Sequence, residues 1–149
     1  MQGITKHFYD VRFWVYVFLY LLFSISIPHQ VKAAFPNRKE EDKIVFGETY
    51  YLHGGEVITG DLIVFGGEVF FYPNSKVTQN VIIFGGNLNN EGIIEEDLIT
   101  FGGNQTIVGK IGGDVLTFGG IGKINSTAEI NGDLISFGGN IIQEDGSII

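Results

Sequence analysis

Hydrophobic positions from residue 42 onward recur in a short phrase that returns six times. The phrase reads Asp-[Leu/Val]-[Ile/Leu]-x-Phe-Gly-Gly. Its aromatic position is occupied by Phe46, Phe65, Phe84, Phe101, Phe118 and Phe137, at spacings of 19, 19, 17, 17 and 19 residues. Four residues before each Phe stands an Asp or Asn: Asp42, Asp61, Asn80, Asp97, Asp114 and Asp133. Position three of the phrase is Ile44, Ile63, Ile82, Ile99, Leu116 and Ile135. Position four drifts from Val45, Val64 and Ile83 to Thr100, Thr117 and Ser136. Apolar residues at three and five, with a relaxed position four, have the period of two that belongs to a half-buried β-strand. On that pattern the Phe column points inward as an aromatic stack, and Thr100, Thr117 and Ser136 form an outward hydroxyl column. A second apolar column, Ile58, Val77, Ile94, Ile111 and Ile130, lies three residues before the Asp column.

A repeat of this length cannot bury its apolar face alone. Coils stacked at the inter-strand spacing of about 4.8 Å pair their backbones and close a continuous core. The expected fold is therefore all-β, a right-handed β-helix (β-solenoid) of about six coils of 17–19 residues. The right hand is inferred because coil length varies by two and no aliphatic residue recurs every six. Gly66, Gly85, Gly102, Gly119 and Gly138 each follow a Phe. With the glycines after them they supply corners that need positive φ.

The N-terminus has a different pattern. Lys6, His7 and Arg12 precede an apolar run from Phe13 to Ile27, which Pro28 ends. Val31-Lys32-Ala33 then fits the small-residue pattern of a signal-peptidase site, with cleavage between Ala33 and Ala34. Residues 1–33 are read as a hydrophobic signal helix, 34–41 as a polar linker and 42–149 as the solenoid. An uncleaved membrane anchor is the alternative for the first segment; fifteen helical residues span only about 22 Å. The closing Gly146-Ser147-Ile148-Ile149 matches the middle of an earlier phrase. It suggests a solenoid truncated at its C-terminus or an end coil that joins another copy.

Composition narrows the function. The chain of 149 residues has no cysteine, which removes disulfides, thiolate metal sites and cysteine nucleophiles. It carries a net charge of −8, and residues 42–149 contain 14 acidic and four basic residues. That balance speaks against nucleic acid as a partner. Glycine, at 22 residues, is about twice its average share, and the glycines recur in every coil as architecture does.

The Ile-x-Gly-Asp-[Leu/Val] phrase and the Phe-Gly-Gly rhythm across 42–149 resemble the bactofilin-like group of polymer-forming bacterial proteins. That resemblance implies a non-enzymatic scaffold assembling end to end, its partner a further copy of itself. It also implies a place at the cell envelope; unlike bactofilins proper, this chain begins as an exported protein does. The membrane enters as a second partner, through the N-terminal segment or a missing C-terminal one.

The Asp column, Asp61, Asp97, Asp114 and Asp133 included, is expected to bond backbone N–H groups at the corners and not a row of calcium ions. Asn87, Asn104 and Asn140 suggest a partial amide ladder. Tyr50, Tyr51, Phe70, Phe71 and Tyr72 form a candidate interaction patch, the basis of an alternative reading as a secreted adhesin or carbohydrate-binding solenoid. His53 has no nucleophile or acid in the repeat frame and reads as a loop residue. Asn104-Gln105-Thr106 and Asn125-Ser126-Thr127 fit the glycosylation triplet. A polysaccharide lyase or hydrolase needs converging acidic and basic groups that four basic residues hardly supply. No catalytic residue, cofactor or metal ligand is expected.

Overall fold

The computed structural model describes residues 41–149. The chain divides into two units, Met1–Asn37 and Arg38–Ile149, and every described residue belongs to the second. The segment expected to be a signal, with its expected Ala33–Ala34 junction, and most of the expected linker lie outside the described residues.

The described chain is a parallel β-solenoid of three sheets. Its first coil contains β1 (Lys43–Phe46), β2 (Thr49–Leu52) and β3 (Val57–Ile58). The second has β4 (Leu62–Phe65), β5 (Glu68–Phe71) and β6 (Lys76–Val77), and the third β7 (Val81–Phe84), β8 (Asn87–Asn90) and β9 (Ile93–Ile94). The fourth has β10 (Leu98–Phe101), β11 (Asn104–Ile107) and β12 (Lys110–Ile111). The fifth has β13 (Val115–Phe118), β14 (Ile121–Ile124) and β15 (Glu129–Ile130). β16 (Leu134–Phe137) and β17 (Asn140–Gln143) open a sixth, which a single bridge from Ile148 to Glu129 completes. Five coils are thus complete in all three sheets. The first sheet runs β1-β4-β7-β10-β13-β16, the second β2-β5-β8-β11-β14-β17 and the third β3-β6-β9-β12-β15. Phe pairs with Phe and Asn87 with Asn104 in unbroken register.

The change in coil length has one location. Four residues, 53–56, 72–75, 125–128 and 144–147, turn the corner between the second and third sheets in coils one, two, five and six. Only two residues, 91–92 and 108–109, turn it in coils three and four. All strands keep their lengths, so the two-residue difference is absorbed without a register shift. The longer corners place Gly55, Asn74 and Gly146 at positive φ. In the short third-coil corner the Asn90 side-chain oxygen accepts from the Gly92 N–H at 3.0 Å.

The core corrects the expected facing of the first sheet. Positions two and four point inward: Leu62 and Val64, Val81 and Ile83, Leu98 and Thr100, Val115 and Thr117 are all buried. The Phe column stands outside, and Thr100 and Thr117 are interior, not an outward hydroxyl column. Position three, from Ile63 to Leu116, shares the outer face with Phe and is half-buried. The interior hydroxyls are tolerated because they have partners. Gln105 Nε2 donates to Thr117 Oγ1, and Thr100 Oγ1 lies 3.4 Å from the same oxygen. A buried polar group with a partner avoids the desolvation cost of an orphan. The Ile58, Val77, Ile94, Ile111 and Ile130 column is buried in the third sheet. The second sheet contributes Leu52, Val69, Phe71, Leu88, Ile107 and Ile124.

In the four pairs from Gly66–Gly67 to Gly119–Gly120 the two glycines serve different needs, whereas Gly139 in the last pair has no positive φ. Gly102 and Gly103 both have positive φ, 74° and 79°. A Cβ on Gly102 would meet open space, whereas one on Gly103 would collide with the carbonyl oxygen of Gly86 one coil back. The same collision recurs at Gly86 against Gly67 and at Gly120 against Gly103. The first glycine is there for its dihedral angle, the second also for close backbone stacking.

Candidate functional site

The surface carries three ordered columns and one aromatic cluster. The Asp column is structural in its geometry. Asp42 Oδ1 accepts the Asp61 N–H at 2.9 Å, and Asp61 Oδ1 accepts the Asn80 N–H at 2.9 Å. Asn80 Oδ1 accepts from Asp97 at 3.2 Å, Asp97 from Asp114 at 2.8 Å, and Asp114 from Asp133 at 2.8 Å. Each side-chain oxygen from Asp42 to Asp114 thus satisfies a backbone donor of the next coil, and the chain of bonds runs one way along the solenoid. Among the described residues no group of three or more His, Asp or Glu is placed to hold a metal ion.

Outside the first sheet the six Phe rings stack with centroids 4.9–5.1 Å apart and planes within 10° of parallel. The coil spacing dictates this distance, because identical side chains in register lie one strand spacing apart. The inner four rings are 37–42% exposed, while Phe46 is 68% and Phe137 56% exposed. An inner ring has both faces covered by neighbours and shows only its edge. Phe46 and Phe137 each lack one stacking neighbour within the column.

The candidate patch divides by strand parity. Tyr51, Phe70 and Tyr72 lie on the outside, whereas Phe71 is buried in the core and Tyr50 packs against it half-buried. Lys43 Nζ sits 5.3 Å from the Tyr50 ring centroid. Burial pushes the Tyr50 hydroxyl up from its ordinary range, with the Glu56 carboxylate adding to the effect. His53 joins the outer cluster: its ring stacks on Tyr72 at 5.4 Å, beside the Tyr51–Phe70 stack at 5.4 Å. No sequence pattern points to His53 here, because its partner is set by the pairing of successive corners. Its backbone N–H donates to Glu56 Oε2 at 2.8 Å.

The amide column is partial. Asn104 Nδ2 donates to Asn87 Oδ1 at 3.0 Å, while Asn140 pairs in register with Ile121. A shallow groove of about 320 Å³ runs between Phe70 and these amides, with Asn89 and Thr106 on its floor. Three cross-coil ion pairs, Lys76–Glu95, Lys110–Glu129 and Lys123–Glu144, lie elsewhere on the surface. The Lys123 hydrogen bond, then the Ser126 N–H, hold the Glu144 carboxyl below its usual range.

The chain matches no family model, no curated protein and no solved structure. Of these surfaces, the Asp and Phe columns are continuous over all six coils, the amide column is broken at Ile121, and the aromatic cluster is confined to the first two coils.

Proposed function

We propose that this chain is a non-enzymatic, polymer-forming scaffold of the bacterial cell envelope, similar to the bactofilin-like group. In this reading its solenoids are right-handed and assemble end to end, its partner is another copy of itself, and no cofactor takes part. The exported location rests on the signal-like pattern of residues 1–33.

The observation that carries the reading is the opening of the stacked columns at the first and last coils. Phe46 and Phe137 are the most exposed rings of their column. Leu134 and Ile141 in the sixth coil are only half-buried, while Val115 in the column of the first and Leu88 in the column of the second are buried. A further copy placed on either coil would continue the ring stack, the sheets and the Asp bonds at the spacing already present. Such an interface needs no nucleotide, since its energy comes from backbone pairing and apolar burial.

The test is sedimentation of the full chain over a range of concentrations, beside Phe46→Lys and Phe137→Lys. Both positions are exposed, so the variants retain the solenoid. Loss of one ring stack and its apolar contact is worth about 2 kcal/mol, which weakens assembly roughly thirtyfold. Unchanged assembly in both variants would count against the end coils as the joint.

A second reading, a secreted adhesin or carbohydrate-binding solenoid, draws on the Tyr51, His53, Phe70 and Tyr72 cluster beside its groove. It requires ring faces open to a sugar. Here the rings face one another across the coils, which leaves end-to-end assembly as the better supported reading.

A further inference from the structure

The outer face of the first sheet is apolar on both of its columns. Position three contributes Ile or Leu in every coil, position five contributes Phe, and neither holds a polar residue from β1 to β16. From β4 to β13 the inner face of the same sheet is packed in the core and is apolar apart from the bonded hydroxyls of Thr100 and Thr117, so this sheet is predominantly hydrophobic on both sides. In an open, parallel sheet that combination normally means that both faces are covered. The Asp bonds, the interior hydroxyls and end-to-end assembly leave the outer face unexplained.

We propose that this face is the seat of a lateral pairing in which a second copy packs its own Phe and Ile columns against it. Area favours this occupant. The exposed parts of the six rings amount to roughly 600 Å² of apolar surface. With the outer edges of the isoleucine column they approach the roughly 800 Å² per partner of a stable interface. Shape favours it too. Two columns of rings at a constant 4.9–5.1 Å spacing are self-complementary, as the isologous contact of a two-fold dimer requires. Sheets packed face to face in this way stand about 10 Å apart. Charge speaks against a lipid surface: residues 42–149 carry only four basic residues against 14 acidic, and interfacial binding draws on Lys and Arg. The paired face itself contains no charge, so the acidity of the chain stays outside the contact.

The lateral contact is independent of end-to-end assembly, and a middle coil tells them apart. The chain has no cysteine, so a single introduced thiol reports without background. In the full chain, Ile99→Cys places a thiol on the outer face of the fourth coil, and Lys110→Cys places one on the third sheet of the same coil. A short bismaleimide should convert Ile99→Cys to covalent dimers several-fold more efficiently than Lys110→Cys. Adding Phe84→Lys and Phe101→Lys to Ile99→Cys should abolish that product while the thermal unfolding transition persists, since both rings lie outside the core. Equal cross-linking at the two sites would overturn the proposal. So would a thiol at 99 that cross-links poorly and is shielded from a monofunctional maleimide only when neutral-lipid vesicles are present, which would make the membrane the occupant. A thiol at 99 that is shielded in protein sedimenting as a monomer would also overturn it, assigning the face to another segment of the same chain.

Discussion

Alanine at Gly103 is expected to destroy the cooperative fold, whereas alanine at Gly102 should leave it intact. The two residues are adjacent, share a positive φ and look interchangeable in sequence. At Gly102 the added methyl enters open space, so the cost is the backbone term alone, about 1–2 kcal/mol for a left-handed residue. At Gly103 the same term is joined by a collision with the Gly86 carbonyl oxygen, which belongs to rigid backbone of the preceding coil. Relief requires the fourth coil to move away from the third, which loosens the strand pairs β7–β10 and β8–β11 on either side of this corner. The loss should exceed about 4 kcal/mol, in the range that marks a specific structural lesion. Chemical denaturation of the full chain and its two variants, followed by circular dichroism, measures the difference. Similar midpoints for both variants would mean that the coils do not stack as closely as described.

The second large effect concerns the facing of the first sheet. Val64→Asp should prevent folding, and Ile63→Asp should be tolerated. Val64 is fully buried among Val45, Ile83 and the rest of the core. A carboxylate there has no cationic partner, and its burial should cost well over about 4 kcal/mol. Ile63 points outward between Ile44 and Ile82, and its replacement forfeits cross-strand contacts worth about 1–2 kcal/mol. The opposite order would restore the inward Phe column that the hydrophobic pattern suggested.

That pattern was ambiguous for a physical reason. In coils two and three all four positions from two to five are apolar, so alternation along Leu62-Ile63-Val64-Phe65 does not select a face. The drift to Thr100, Thr117 and Ser136 pointed outward because exposed positions usually lose hydrophobicity first. The Thr100 and Thr117 hydroxyls are instead held inside by each other and by Gln105, which follows Thr100 in the next strand of its coil, while Ser136 in the sixth coil is exposed. Only the three-dimensional neighbour reveals that compensation. Position two carries the matching signal from the second coil on, where Leu62, Val81, Leu98, Val115 and Leu134 share the parity of position four, while Lys43 breaks it in the first coil.

Other features were legible because they depend on backbone repetition. The stacking of coils, the Gly corners and the Asp-to-N–H bonds all follow from residues that recur at one place in every phrase. The second sheet was not legible. One inward column is Tyr50, Val69, Leu88, Gln105, Gly122 and Ile141, without a common chemistry, and the other, Leu52, Phe71, Asn90, Ile107, Ile124 and Gln143, is interrupted by amides. The patch at 50–72 was therefore read without parity, and it divides into inward Tyr50 and Phe71 and outward Tyr51, Phe70 and Tyr72.

End-to-end assembly is tested most directly by electron microscopy of the purified full chain at concentrations spanning the sedimentation series. Filaments of constant width with an axial repeat of about 4.8 Å in their diffraction are the expected result. Particles that remain single, short solenoids at every concentration would contradict it.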